Sequence, residues 1–153
     1  MDFEDLKKLF VNKGRTLGSV ESFTGGLFAN NVTSVSGASN YFKGSLVTYA
    51  TEEKESLLGI SEDLVKKYGV VSKEIAIEMA KRGCKVLNVD YCVSFTGNAG
   101  PLAMEGKPVG LIFVGVSNGK DSIYEERILE GTREEIRDKS VILALDLLKD
   151  FVK

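Results

Sequence analysis

The sequence predicts an α/β protein, a three-layer α/β/α sandwich built on a mixed, mostly parallel sheet of five strands. Segments with the apolar spacing of helices alternate with short apolar runs that are typical of strands. Near the end of the chain, the pair Asn118-Gly119 is a hairpin signal between the last two strands. Alternation favours helices on both faces of a parallel sheet, and the hairpin adds one antiparallel member.

The first third of the chain predicts two helices and two strands. Apolar residues recur at helical spacing over residues 3–12, and Gly14 follows as a helix stop. The apolar run 16–21 predicts the first strand. A second helix opens at a pair of glycines and ends near Gly37, and the segment 41–50 predicts the second strand.

The middle of the chain predicts three helices and one strand. Thr51 is expected to cap a short helix, because threonine is a good N-cap and two glutamates follow it. Ser61 opens another short helix, which Gly69 ends. Ser72 caps a longer amphipathic helix, and the segment 90–96 predicts the third strand.

The end of the chain predicts a β-hairpin followed by a helix. Residues 108–117 and 122–128 are apolar runs on either side of the hairpin signal, and they predict the fourth and fifth strands. Thr132 and Glu135 then form a capping box ahead of an apolar stripe. This capping box is the clearest helix start in the sequence.

Composition excludes several functional classes. The 153 residues fit one domain over 1–153, and a net charge of −2 without long runs of one sign gives no footprint for nucleic acid. No apolar stretch reaches the roughly 18 residues that span a bilayer, so we expect a soluble, cytoplasmic protein without a membrane partner. Two cysteines and no histidine offer no common zinc site, and no metal or cofactor is expected. A homo-oligomer is left open.

Ser22 is the first candidate for chemistry. It stands where the first strand turns into a helix opened by two glycines, beside backbone N–H groups that suit an anion. Because the chain has no histidine, an activated serine here needs another base, and lysine is the obvious one. The competing interpretation is that Ser22 only caps the helix.

The ends of the parallel strands predict where a ligand would bind. Open α/β sheets bind ligands beyond the carboxyl ends of their strands, which here are Ser22, Ala50 and Thr96. Lys54 follows the second of these ends by four residues.

Four separated motifs follow one another along the chain. They are Glu21-Ser22-Phe23-Thr24-Gly25-Gly26, Val47-Thr48-Tyr49-Ala50 with Lys54, Gly69-Val70-Val71-Ser72, and Thr96-Gly97-Asn98-Ala99-Gly100-Pro101 with Lys107-Pro108-Val109-Gly110. In this order they resemble the CinA carboxy-terminal domain family, which includes the nicotinamide mononucleotide deamidases. The resemblance runs from about Leu6 to Val152. It implies hydrolysis of the carboxamide of a small nucleotide substrate to the acid and ammonia, without metal or cofactor.

The resemblance also implies roles for individual residues. Ser22 corresponds to the family's nucleophilic serine, Lys54 to the lysine that takes its proton, and Tyr49 to a tyrosine that orients the lysine or relays the proton. The substrate would be bound by Thr24, Gly25, Gly26, Thr96, Gly97 and Arg133. A lysine base needs a lowered pKa, through desolvation or a neighbouring cation, and Arg133 is the candidate cation and a candidate phosphate ligand.

Two departures from the family pattern leave alternatives open. Phe23 replaces the usual cysteine after the serine, and it either crowds the pocket or packs in the core. The segment 102–106 lacks the usual glycines, and Glu105 is expected to add negative charge beside a phosphate. The chain is thus a nicotinamide mononucleotide deamidase, a hydrolase of a related amide, or a non-catalytic nucleotide-binding module. Lys54 alone would be a solvated surface lysine, and Tyr49 alone a half-buried strand residue.

Overall fold

The computed structural model describes all residues, 1–153, as alternating helices and strands. The helices are α1 (Phe3–Lys13), α2 (Leu27–Thr33), α3 (Thr51–Leu58), α4 (Glu62–Tyr68), α5 (Lys73–Leu87) and α6 (Arg133–Phe151). The strands are β1 (Leu17–Glu21), β2 (Phe42–Val47), β3 (Tyr91–Gly97), β4 (Leu111–Ser117) and β5 (Ser122–Ile128). No helix combines the length and the apolar character that crossing a membrane requires.

The five strands form one mixed sheet in the order β2-β1-β3-β4-β5. β1 pairs in parallel with both β2 and β3, whereas β4 pairs antiparallel with both β3 and β5. Four strands therefore run in one direction, and β4 alone runs against them. The predicted fold class is confirmed, including its single antiparallel member.

Helices cover both faces of this sheet. On one face, α1, α2 and α6 bury residues such as Phe10, Phe28 and Leu145 against the side chains of β3 and β4. On the other face, α5 buries Ile75 and Met79 together with residues of α3 and β1. The predicted three layers are thus formed by two separate apolar interfaces that share the sheet.

Most of the predicted helix starts are found, with one exception. Ser61 and Ser72 accept hydrogen bonds as N-caps, and the capping box of α6 is complete. Thr51, however, is the first residue of α3 rather than its cap, and Ala50 stands at the N-cap without a side-chain bond. That prediction was wrong because β2 ends at Val47, so the chain enters the helix through an extended link instead of directly from a strand.

The two cysteines are buried thiols, as their apolar surroundings predict. Both are free, and burial raises the pKa of Cys84 to about 11. Cys92 on β3 faces α5 at a point where Gly83 brings the helix close to the sheet. A Cβ at Gly83 would lie 2.4 Å from the sulfur of Cys92, so only glycine fits this contact.

Candidate active site

Ser22 directly follows β1, which lies between β2 and β3 in the sheet. Its N–H donates to the carbonyl of Phe95 on β3, at 3.0 Å, so the backbone of this residue is still tied to the neighbouring strand. The chain then turns through Gly25 and Gly26, both at positive φ, before α2 begins. This turn brings the serine hydroxyl to the edge of the sheet where a ligand was expected.

The start of α2 is occupied by the carboxylate of Glu21. This side chain is fully buried and accepts hydrogen bonds from the hydroxyl of Thr24 and from the amides of Gly26, Phe28 and Ala29, at 2.8 to 3.2 Å. A carboxylate at a helix start is favoured by the free N–H groups and by the helix dipole. The interpretation of Ser22 as the cap of α2 is therefore wrong, since Glu21 satisfies those groups.

The backbone amides of the turn divide into two groups. Gly25 donates to the carbonyl of Ser22 and Gly26 donates to Glu21, so both have partners. The amides of Phe23 and Thr24 have no acceptor within the protein. These two amides, directly after Ser22, could therefore serve as donors to an oxygen of a bound ligand.

Lys54 on α3 is buried, with a relative exposure of 1%. Its ammonium donates to the hydroxyl of Ser22 at 3.1 Å and to the carbonyl of Thr48 at 2.8 Å. Burial lowers the pKa of Lys54 from 10.5 to about 8, and the carboxylates of Glu105 and Glu52 oppose that shift. The interpretation of Lys54 as a solvated surface lysine is wrong.

Tyr49 and Arg133 form a second pair at the rim of the site. A guanidinium nitrogen of Arg133 donates to the phenol oxygen of Tyr49 at 3.0 Å, and another donates to the carbonyl of Gly100 at 2.6 Å. Tyr49 makes no hydrogen bond to Lys54, and burial, not Arg133, accounts for the lowered pKa of that lysine. Arg133 has no carboxylate partner, so its charge is available to an anion.

A cavity of about 570 Å³ connects the two pairs. It is lined by Ser22, Phe23, Tyr49, the segment 97–102, Met104 and Arg133. Its size is in the range of pockets that hold small organic ligands. Lys54 lies behind Ser22 and does not line the cavity.

Four of the residues expected to bind substrate do not line this cavity. Thr24, Gly25 and Gly26 lie behind Ser22 in the turn, and the hydroxyl of Thr96 donates to the carbonyl of Val70 at 2.6 Å. Gly97 and Arg133 do line it. The structure thus brings together Ser22, Tyr49, Gly97 and Arg133 at the cavity, with Lys54 reaching the serine from below.

The two departures from the family pattern have clear structural outcomes. Phe23 is 5% exposed and packs in the core beneath α2 and α6, while part of its surface lines the cavity. Glu105 does not line the cavity. Its carboxylate accepts from the amides of Val70 and Val71, and the expectation that it adds charge beside a bound phosphate stays a prediction.

Arg137 is a residue of this region that sequence reasoning missed. Its guanidinium donates to the carbonyl of Thr24 at 2.8 Å and lies over Gly25, while its Nε is buried without a partner. The signal was its spacing, because residues four apart on a helix share a face, and Arg133 was already a candidate. Arg137 stabilises the turn that carries Ser22.

The fold and the cavity define an α/β protein in which a buried lysine, Lys54, contacts a serine of the cavity wall, Ser22, at the carboxyl edge of the sheet. No group of three or more histidine, cysteine, aspartate or glutamate side chains lies close enough to hold a metal ion. The sequence profile of the CinA C-terminal domain matches residues 3–152, and the chain belongs to that family.

Curated proteins with similar sequences agree with this family assignment. The chain is 40% identical over 150 residues to a CinA-like protein of Flavobacterium psychrophilum and 41% identical over 143 residues to one of Endomicrobium trichonymphae. These matches cover 97% and 93% of this chain but only 36% and 33% of those proteins. The chain therefore spans about a third of the length of the curated relatives it matches.

Solved structures share the fold across the whole chain. The competence/damage inducible protein CihA of Agrobacterium tumefaciens superimposes with a TM-score of 0.90 at 29% identity, covering 100% of this chain and 97% of that one. The competence damage-inducible protein A of Klebsiella pneumoniae superimposes with a TM-score of 0.95 at 22% identity, covering 98% and 94%. The second likeness supports the fold alone.

Proposed function

We propose that the chain is an amidohydrolase that converts nicotinamide mononucleotide to nicotinic acid mononucleotide and ammonia. The observation that carries this proposal is the hydrogen bond of 3.1 Å between the buried ammonium of Lys54 and the hydroxyl of Ser22, at the wall of a cavity. The arrangement suits acyl transfer from an amide, and the resemblance to the deamidases of this family supplies the substrate.

Lys54 is the base of the proposed reaction. With a pKa of about 8, a substantial fraction of this lysine is neutral in weakly alkaline solution, and the neutral amine takes the proton of Ser22. The serine oxygen attacks the carboxamide carbon, and the negative charge that develops on the carbonyl oxygen is stabilised by the amides of Phe23 and Thr24.

Lys54 then acts as an acid. It returns the proton to the amide nitrogen as the C–N bond breaks, so ammonia leaves and the acyl group stays on Ser22. Water enters, gives a proton to the same lysine and attacks the ester carbon. The acid product is released and the serine regains its proton.

Arg133 is the proposed ligand of the substrate phosphate. Its guanidinium lines the cavity without a carboxylate partner, and a guanidinium matches the geometry of phosphate oxygens. Its bond to Tyr49 supports a role for the tyrosine in orienting Arg133, in place of the expected contact with Lys54.

A related amide is the second candidate substrate. Leu102 and Met104 give the cavity an apolar side in a segment where glycines were expected, which favours a substrate with more apolar surface and less charge. Such a substrate would use the same serine–lysine chemistry.

Ammonia release by the purified protein distinguishes these candidates. The panel contains nicotinamide mononucleotide, nicotinamide riboside, nicotinamide and simple aliphatic amides, each with and without a chelator. We expect the mononucleotide to be the best substrate and the chelator to have no effect, because the proposed chemistry uses only side chains and amides. Preference for an uncharged amide would support the second candidate, and no release from any amide would contradict both.

A further inference from the structure

The cavity rim contains a tight turn with an unusual residue at its centre. Residues 104–107 close on themselves, because the N–H of Lys107 donates to the carbonyl of Met104 at 2.9 Å. The two central residues, Glu105 and Gly106, both have positive φ, at 54° and 68°. Turns of this kind favour asparagine and glycine, and a glutamate in the left-handed region is strained.

The side chain of Glu105 offsets that strain by binding another part of the molecule. Its two carboxylate oxygens accept from the amides of Val70 at 2.9 Å and Val71 at 3.0 Å, in the link between α4 and α5. The ammonium of Lys107 lies 3.4 Å from the same carboxylate and donates to the carbonyls of Tyr68 and Val71. The turn is thus fastened to that link at several points.

Two apolar side chains line the cavity in this segment, Met104 in the turn and Leu102 two residues before it. They are 46% and 81% exposed, so nearly half of the surface of Met104 and most of that of Leu102 is left uncovered by the protein. Covering such side chains with apolar surface is favourable, and a methionine sulfur also contacts aromatic rings well. A flat aromatic ring is the part of a nucleotide whose faces suit these two residues.

We propose that Glu105 is a positioning residue for substrate specificity: it holds Leu102 and Met104 over the cavity as an apolar wall for the aromatic ring of the substrate. This inference rests on the proposed function, in which that ring is the pyridinium of nicotinamide mononucleotide. It concerns the segment 102–106, in which the family resemblance led us to expect glycines.

Glu105 also acts on the lysine base through its charge. Glu52 on α3 and Glu105 on the turn are the charged groups that raise the pKa of Lys54 against the effect of burial. Removing the charge of Glu105 therefore lowers that pKa further and moves the acid limb of kcat/KM to lower pH. Loss of the apolar wall should change KM, whereas loss of the charge should change the pH dependence of kcat/KM, so the two effects can be measured separately.

The test compares Glu105→Ala with Glu105→Gln. Glutamine keeps an acceptor for one of the two amides, whereas alanine keeps none, and both remove the charge. We expect KM for nicotinamide mononucleotide to rise roughly tenfold in the alanine variant and less in the glutamine variant, with the same downward shift of the acid limb in both. Glu62→Ala, at an exposed site on α4, is the control.

A ring-free ligand shows whether the wall itself is affected. Ribose 5-phosphate, used as a competitive inhibitor, carries the sugar and the phosphate but has no ring to contact Leu102 or Met104. Its inhibition constant should stay the same in Glu105→Ala and in Leu102→Ala, while KM for the mononucleotide rises in both. Leu102→Ala should leave the acid limb where it is.

Two results would overturn the inference alone: an unchanged KM in an active Glu105→Ala enzyme, or an inhibition constant that rises as much as KM. Absence of ammonia release by the unmodified protein would instead overturn the proposed function, and this inference with it. Amide exchange at Val70 and Val71, slow in the unmodified protein and fast in Glu105→Ala, tests the fastening directly.

Discussion

The ammonium of Lys54 is held between the hydroxyl of Ser22, at 3.1 Å, and the carbonyl of Thr48, at 2.8 Å. The second bond fixes the nitrogen at the end of β2, and the first aims it at the end of β1. Because Ser22 and Thr48 follow neighbouring parallel strands, the sheet itself sets the distance between serine and lysine. A rigid pair of this kind needs little rearrangement before proton transfer.

Ser22→Ala should lower kcat by several orders of magnitude, because no other hydroxyl accepts a hydrogen bond from the ammonium of Lys54. The melting temperature should change little, since Glu21, not Ser22, satisfies the start of α2. Ammonia release and thermal unfolding are measured together, with the exposed residue Ser56 changed to alanine as a control. Turnover close to that of the unmodified enzyme would exclude Ser22 as the nucleophile.

Lys54→Arg should be as inactive as Lys54→Met. Arginine keeps the positive charge but does not release its proton at any accessible pH, so it fails as a base. Lys66→Arg, at an exposed site, is the matched control. If Lys54→Arg retained kcat and changed only KM, the lysine would bind substrate instead of moving a proton.

The pH profile of kcat/KM should rise through about 8, the pKa of Lys54. Below that pH the amine is protonated and cannot accept the serine proton, and above it the neutral amine is available. Initial rates from pH 6 to pH 10 measure this limb. A profile that rises only near the ordinary lysine pKa of about 10.4 would show that burial does not tune this residue.

Stability should also depend on pH through Lys54. Its pKa is about 8 in the folded protein and 10.5 in the unfolded chain, so between these values the unfolded chain binds more protons and stability rises with pH. Over the whole interval between the two pKa values of Lys54, the free energy of unfolding should rise by about 3 kcal/mol, at 1.36 kcal/mol per pKa unit. Relative to Lys54→Met, the unmodified protein should gain free energy of unfolding from pH 8 to pH 10.5. Chemical denaturation at several pH values measures the difference, and parallel curves would contradict it.

Arg133 and Tyr49 should behave as one unit. Arg133→Lys loses the bond to the phenol and the geometry for phosphate, and Tyr49→Phe loses the same bond, so both should raise KM more than they lower kcat. In the double variant, KM should rise by less than the two single effects combined predict, because both changes remove the same hydrogen bond. If Tyr49→Phe instead lowered kcat alone, the tyrosine would act in proton transfer, as the family resemblance first implied.

The sequence was sufficient to predict the fold because its local signals agree. The capping box at Thr132, the caps at Ser61 and Ser72 and the alternating apolar runs each specify one element. Boundaries were less predictable. β2 ends three residues before the predicted position 50, because strand length depends on pairing with β1, which no local pattern contains.

The site was predictable only in part, for a similar reason. Strand ends identified Ser22, and the family resemblance identified Lys54, but neither could say that Tyr49 bonds to Arg133 rather than to the lysine. The partners of Glu105 could not be predicted, because the direction of its side chain depends on a left-handed backbone and on amides 34 and 35 residues away. Contacts over such distances are set by tertiary packing.

The buried carboxylate of Glu21 affects where a negatively charged group can bind at the cavity. Since this side chain takes the free amides at the start of α2, a phosphate finds no vacant helix start beside the serine, and a second negative charge there would be repelled. The remaining unpaired cation at the cavity is on Arg133, across from the turn. A phosphate bound on the Ser22 side would lie near the carboxylate of Glu21 and far from the charge of Arg133. If the proposed function is correct, we expect a nucleotide substrate to bind in one orientation, with its phosphate at Arg133 and its amide toward Ser22.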